Sequence, residues 1–478
     1  MLSLSTPLAP LRHRNYRLLF ISFVISMLGD GVWLVALPWV AMELGGNSSD
    51  LAMVVGAEAV GLISCVLIGG ALADRYPRKL VIGWSYAAAF TVLTALAVVH
   101  LTGSLQIWQL VGAAFVLGAA AAISGPASDA FTPDLVPKDD LHAANAMESV
   151  VRSLAVRMVG PAVGGLLISL IDALSIIVLN AVSFGVAAAC VAMIVVPRSV
   201  NASMNASEDE TRAEAGAGTE AADADGVPYR EALRYLFSER WLWVLIVWSG
   251  LVLLLQSGPR QILLPFVIHN DLGGDARDYG ALIAVTGIAA VVGSLVLASH
   301  KPPRDYPRRM LLAWTVGAAP LALMVFVPSF WMLLPLGAMY GFFSTVGNVY
   351  WSTLVQTSVP NAVRGRVISI DWLGSLALVP LSAVLAGLSP DRDFIVWLFV
   401  LGGVLPVLLT LATVRWVDLR ALRTDGPDSA AGPAETDGGT ADGRAEKDGG
   451  TADGRAEKDG GTADGRAEKE RATATTPS

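Results

Sequence analysis

The chain has 478 residues, 54% of them hydrophobic and 15% charged, with a formal charge of −8 at pH 7. That balance is too apolar for a soluble protein of this length and fits one that crosses a membrane many times. The acidity is local, because residues 201–228 carry −6 and residues 418–478 carry −5, leaving +3 for the rest, so it implies no basic partner.

Arg12, Arg14 and Arg17 open the chain, and the apolar run behind them is long enough to span and lacks a small-residue cleavage site. Residues 1–16 are therefore expected to be a cytoplasmic N-terminus and not the head of a signal peptide. A spanning helix needs about 20 mostly apolar residues. Runs of that kind fall at 17–42, 51–73, 80–101, 105–128, 147–170 and 173–196, which define an N-terminal six-helix bundle at 17–197. Residues 198–228 are a polar linker without apolar periodicity, expected to be disordered. Tyr229 to Trp241 places Leu233, Leu236 and Phe237 on one helical face, the pattern of a short interfacial helix. Runs at 241–268, 278–299, 310–327, 330–354, 367–388 and 393–416 then complete a second six-helix bundle at 229–417. Arg152, Arg157 and Asp371 interrupt two of these runs. Residues 418–478 contain D-G-G-T-A-D-G-R-A-E-K three times, at 437–447, 448–458 and 459–469. No unit has a large apolar residue with which to build a core, so this tail is expected to be flexible and cytoplasmic.

The bases test the layout. Arg75, Arg78, Lys79, Lys138, Arg198, Arg230, Arg234, Arg240, Lys301, Arg304, Arg308, Arg309, Arg364 and Arg366 fall in alternate connections, whereas 43–50, 102–104 and 171–172 carry none. This asymmetry predicts a multi-pass protein of the plasma membrane with both termini in the cytoplasm. The halves echo each other: D-R-Y-P-R-K-L at 74–80 and R-D-Y-P-R-R-M-L at 304–311 occupy the same connection of their half. The expected fold is all-α and integral to the membrane, with twelve transmembrane helices in two pseudo-symmetric bundles.

Gly70 to Lys79 reads G-A-L-A-D-R-Y-P-R-K between two apolar runs. Gly70, Leu72, Asp74, Arg75, Arg78 and Lys79 resemble the loop between the second and third helices of major facilitator superfamily transporters, with Pro77 where that family has glycine. The resemblance implies the major facilitator fold and a gating loop in which Asp74 latches one access state against the start of the eleventh run, a carboxylate on a helix N-terminus. Gly160-Pro161-Ala162-Val163-Gly164-Gly165 resembles the G-P-x-x-G-G core found in exporters and antiporters of that superfamily, and is also what ordinary close helix packing would use. G-P-A-S-D-A-F-T-P-D-L-V-P at 125–137 and Q-T-S-V-P-N-A-V-R-G-R-V-I-S at 356–369 resemble its macrolide-efflux and enterobactin-exporter-like subgroup.

Ionisable groups inside a membrane are costly and usually face a cavity or a partner. Asp30 lies about 20 Å from the inner face if each residue rises about 1.5 Å, and Glu58 falls at a similar depth. Two carboxyls at one depth repel when both ionise, so Asp30 and Glu58 are the proton-coupling candidates, with Arg260 a counter-charge or substrate anchor. Gly29 and Gly31 are expected to leave the Asp30 carboxyl open. Arg152, Arg157 and Glu148 are expected to form an ion-pair set. Trp33, Trp39, Trp248, Tyr350 and Trp351 lie deep enough to line an apolar site. The histidines fall in loops or at run ends, Cys65 and Cys190 read as small buried thiols, and no metal, cofactor or nucleotide-binding spacing occurs.

The sequence thus predicts a secondary active transporter, not an enzyme. It would export a drug-like or secondary-metabolite small molecule by proton antiport with alternating access, as a monomer in the lipid bilayer, with no nucleic-acid partner. An exporter of an endogenous siderophore or metabolite, and a non-transporting receptor or scaffold, remain the alternatives.

Overall fold

The computed structural model describes residues 8–195, 229–298, 303, 305–389 and 391–416. The linker at 198–228, the tail at 418–478 and residues 1–7 of the N-terminus therefore lie outside the described residues. Among those described, the regular elements are all helical. Before the linker run α1 (Arg14–Glu43), α2 (Ser48–Arg75), α3 (Arg78–Leu101), α4 (Ile107–Leu135), α5 (Lys138–Leu154), α6 (Gly160–Leu170) and α7 (Ser175–Ala192). A π turn, Ala155–Val159, joins α5 to α6 into one span. After the linker come α8 (Tyr229–Ser238), α9 (Arg240–Gly258), α10 (Ala276–Ala298), α11 (Tyr306–Met324), α12 (Leu333–Ser358), α13 (Asn361–Leu376), α14 (Val379–Gly387) and α15 (Arg392–Trp416). The α9 span continues through Pro259–Leu263 and Val267–Asp271, two further π turns.

Eleven helical stretches among the described residues are long and apolar enough to cross a membrane. The run expected at 310–327 forms α11, a 19-residue helix that opens on Arg308 and Arg309 and does not reach that mark. Large apolar side chains point outward all round, including Leu166, Leu170, Leu295, Leu312 and Trp397, as lipid-facing helices require.

Local chemistry sets the connections. Gly45 turns the chain with φ of 76°, and Asn47 then caps α2 by accepting from the Ser49 and Asp50 amides at 2.8 and 3.2 Å, while Asp50 accepts from the Asn47 amide at 2.9 Å. This reciprocal box satisfies amides that the helix leaves unpaired. At the other end of α2, Tyr76 is extended before Pro77, the geometry that a following proline imposes.

The packing repeats. In the first set α2 lies on α4, α3 on α4 and α7, and α1 on α6 and α7. In the second set α10 lies on α12, α11 on α12 and α15, and α9 on α14 and α15. Each pairing in one set has its counterpart six spans later. Two seams join the sets, α6 against α10 and α14 against α2, and these are also related six spans apart.

α8 forms where the sequence places an interfacial helix, but its faces divide differently. Ala232 and Leu236 are buried against the Trp241–Val367 cluster, and the Tyr235 hydroxyl donates to the Ser358 carbonyl at 3.2 Å. Leu233 and Phe237 point outward beside Arg230 and Arg234.

Candidate functional site

Asp30 lies in α1 between two glycines, and those glycines serve packing more than openness. A Cβ on Gly29 would lie 2.6 Å from the Asn180 Oδ1 atom of α7, and one on Gly31 would lie 2.9 Å from the Gly160 Cα. The glycines let α1 sink between α6 and α7, and the Asp30 side chain emerges from that buried crossing into a cavity.

The cavity encloses about 720 Å³ between the two sets of helices. Asp30 and Glu58 both line it, as the sequence predicts, with Phe23, Trp33, Tyr86 and Phe184 supplying apolar surface. The lining runs from Leu37, Pro38 and Leu51, near the base-poor connections, to Phe23 and Ser128, toward the basic ones. Above Leu37 the sets close on each other. Trp39 of α1 stacks on Tyr279 of α10 with centroids 5.7 Å apart, and the Ser49 hydroxyl of α2 donates to the Gly387 carbonyl of α14.

Three arginines were read from the sequence in other roles. Arg152 and Arg157 line the cavity. Arg152 pairs with Asp129 at 3.5 Å and lies over the Phe23 ring at 5.0 Å, while Glu148 accepts from Thr132 at 2.9 Å. The expected Arg152–Arg157–Glu148 set is therefore replaced by Arg152–Asp129. Arg260 is not part of the cavity lining. Its guanidinium sits 4.6 Å from the Tyr340 ring centre, and its neighbour Gln261 faces the cavity instead. The Pro259–Leu263 π turn accounts for this, since the extra residue rotates the side chains that follow it.

Gly160, Pro161, Gly164 and Gly165 thin α6 on two sides. Gly160 and Gly164 face α1, where a Cβ on Gly164 would lie 3.0 Å from the Val32 Cα. Gly165 faces α10, where a Cβ would lie 3.2 Å from the Gly280 Cα. The motif thus packs α6 on its own set and on the other at once.

In the 70–79 segment, Gly70 and Asp74 belong to α2, but the Asp74 side chain lies outside the described residues, and so does its expected contact. Arg75 is exposed. Arg78 donates to Asp134 and to the Ala130 carbonyl, both at 2.8 Å, and Lys79 donates to the Ala192 and Ile194 carbonyls at 2.9 and 2.6 Å. These two bases tie α3 to the ends of α4 and α7, beyond any part they play in topology.

The tryptophans expected to line one site divide. Trp33 reaches the cavity and Trp39 closes its end. Trp248 stacks on Trp314 at 4.9 Å, Trp314 meets Trp351 at 6.1 Å, and Trp351 meets Trp241 at 6.4 Å, a ladder within the second set and apart from the cavity. Cys190 is buried and Cys65 half-buried, both as free thiols.

The transmembrane secretion effector family matches this chain over residues 5–424. The chain belongs to that family. It is a multi-pass membrane transporter of the major facilitator type and not an enzyme, as the 70–79, 125–137 and 356–369 segments imply. Relatives of this transporter include the multidrug efflux pump Tap of Mycobacterium tuberculosis, 26% identical over 85% of this chain and 94% of the relative. Another is macrolide efflux protein A of Streptococcus pyogenes, 23% identical over 86% of this chain and 99% of the relative. Among solved structures, the nucleoside transporter NupG aligns with a TM-score of 0.63 at 12% identity, over 84% of this chain and 99% of that one. A D-xylose–proton symporter aligns with a TM-score of 0.58 at 13% identity, over 86% and 98%. These two share the fold of the transporter.

Sequence reasoning missed Gln261, Ser294 and Thr345, which the second set contributes to the cavity, because single polar residues in apolar runs give no periodic signal.

Proposed function

We propose that the protein is a secondary active exporter of a drug-like or secondary-metabolite small molecule, driven by proton antiport through alternating access. The observation that carries this reading is the pair Asp30 and Glu58 on one cavity between two sets of helices that meet at its base-poor end. A carboxyl that gains or loses a proton there changes the cavity charge by one, which couples proton movement to what the cavity holds. The repeated packing supports rocking of residues 17–197 against residues 229–417, with the α6–α10 and α14–α2 seams opening as the basic end closes. The names of the relatives, a multidrug efflux pump and a macrolide efflux protein, support the outward direction.

In this reading Asp30 and Glu58 carry the coupling proton, and Gly70, Asp74, Arg75, Arg78 and Lys79 form the gating loop. Gly160, Pro161, Gly164 and Gly165 form the sliding contact. Arg260 is a positive charge set behind the cavity wall. The protein acts as a monomer in the plasma membrane, with both termini in the cytoplasm.

The test is proteoliposome counterflow of a macrolide and of ethidium under an imposed pH gradient. Proton-dependent flux is expected, lost or made pH-independent in Asp30→Asn and Glu58→Gln. If both variants export normally with unchanged pH dependence, the carboxyl roles fail. If no gradient drives either probe, the receptor or scaffold reading gains.

A further inference from the structure

The charges of the cavity are distributed unevenly. Asp30, Glu58, Arg152 and Arg157 all come from the first set of helices, and the second set adds the neutral polar groups Gln261, Ser294 and Thr345. Arg152 is answered by Asp129, which does not line the cavity. Arg157 is different. Among the described residues no carboxylate lies within ion-pair distance of it. Its backbone belongs to the Ala155–Val159 π turn, and its carbonyl presses on Gly287 of α10, where even a Cβ would collide. The Arg157 backbone is thereby placed at the seam between the two sets, and its side chain lines the cavity from there. Arg260 lies within electrostatic reach of it and rests on Tyr340 instead of an acid, so positive potential accumulates on this side of the cavity.

The cavity therefore presents two carboxyls and one guanidinium that has no carboxylate partner among the described residues. An apolar neutral occupant would desolvate all three without replacing their hydration, which is costly. A simple monocation would answer the carboxyls but would be repelled by Arg157. A molecule with a basic group and a separate acidic group answers both walls. Its basic group would compete with protons at Asp30 and Glu58, as antiport requires, while its acidic group would be held by a planar fork suited to carboxylates.

We infer that the cavity takes an amphoteric molecule, with its basic group beside Asp30 and Glu58 and its acidic group on Arg157. This rests on the exporter reading, whose substrate class it names.

The experiment uses rhodamine B, which carries a delocalised cation and a carboxylate, and its ethyl ester, which keeps the cation alone. Binding of each to the purified full-length protein is followed by fluorescence anisotropy. The wild type should prefer rhodamine B by about tenfold, the worth of a charged hydrogen bond. Arg157→Gln should erase that preference by weakening rhodamine B and sparing the ester, with thermal unfolding unchanged. Arg157→Lys, which keeps the charge, should retain part of it, and this variant decides the matter if Arg157→Gln does not fold. A wild type that binds neither probe or prefers neither overturns the inference, as does equal weakening of both probes in Arg157→Gln. Flux of the same probes under a pH gradient separates the two readings. Preferential binding without coupled flux supports the anion subsite and removes the exporter, and coupled flux without preference does the reverse.

Discussion

The Ser49 hydroxyl of α2 donates to the backbone carbonyl of Gly387, 338 positions along the chain in α14. That bond joins the two sets of helices at the base-poor end, and it depends on Gly387 having no side chain, since a Cβ there would lie 2.6 Å from the Ala52 Cβ. Gly387→Val should push α14 off α2 and lengthen the spin-label distance between positions 47 and 391, measured in a background lacking Cys65 and Cys190. The α6–α10 seam would remain, so the expected change is a shifted population and not loss of fold. An unchanged distance distribution would mean that this seam yields by local repacking.

Lys79 donates to the carbonyl of Ala192, the last residue of α7, at 2.9 Å and to that of Ile194, two residues beyond, at 2.6 Å. A cation at a helix C-terminus satisfies carbonyls left unpaired and faces the negative end of the helix dipole. Lys79→Ala should lower stability by about 0.3–1 kcal/mol, seen as a fall in the unfolding temperature in detergent. Lys79→Arg should recover most of it. If alanine is neutral at low salt, the loop bases act in topology alone.

Asp172, in the connection between α6 and α7, accepts from the Ser175 hydroxyl and amide at 2.5 and 2.8 Å, with His100 at 4.0 Å. The Ser175 hydroxyl, ahead of the backbone amides and His100, holds its carboxyl below the ordinary range. A folded-state value lowered in this way favours the folded protein above the unfolded carboxylate's range, and the benefit disappears as pH falls through the folded value. Wild type should therefore unfold at a higher temperature than Asp172→Asn at neutral pH, with the gap closing below about pH 4. The site is half exposed, so the gap is small. A gap that is constant with pH would remove the electrostatic cause.

The fold was legible because membrane spans obey a length rule and because the bases alternate by connection, both of which survive any packing detail. Asp30 and Glu58 were legible for the same reason, as charges where a span should be apolar. What stayed hidden depends on helix rotation. The π turns at 155–159 and 259–263 turn Arg157 into the cavity wall and Arg260 away from it, and a helix read at 3.6 residues per turn cannot anticipate either. Gly29 and Gly31 were read as openings for Asp30, yet their partners Asn180 and Gly160 lie on helices whose placement no local pattern specifies.

Asp371 shows the same limit and gives the last prediction. In sequence it only interrupts a run. In the structure it accepts from the Trp351 indole at 2.9 Å and from Ser375 at 3.4 Å, and Ser375 in turn meets Ser249 at 2.7 Å. α9, α12 and α13 are thereby joined by one polar chain beneath the Trp248–Trp314–Trp351 ladder. Removing the carboxylate leaves the indole N–H unpaired in an apolar setting, at a cost of about 1–3 kcal/mol. Asp371→Ala should therefore destabilise the protein, and so should Trp351→Phe, which takes the indole donor from the carboxylate and shortens the Trp314–Trp351–Trp241 ladder. The double variant should be milder than the sum of the two, by at least about 0.5 kcal/mol, because the second change relieves the orphan that the first creates. Tryptophan emission supplies a second readout, since a shift in Asp371→Ala that is absent in the Trp351→Phe background places the effect on that indole. Strict additivity of the two changes would mean that the bond contributes nothing to joining these helices.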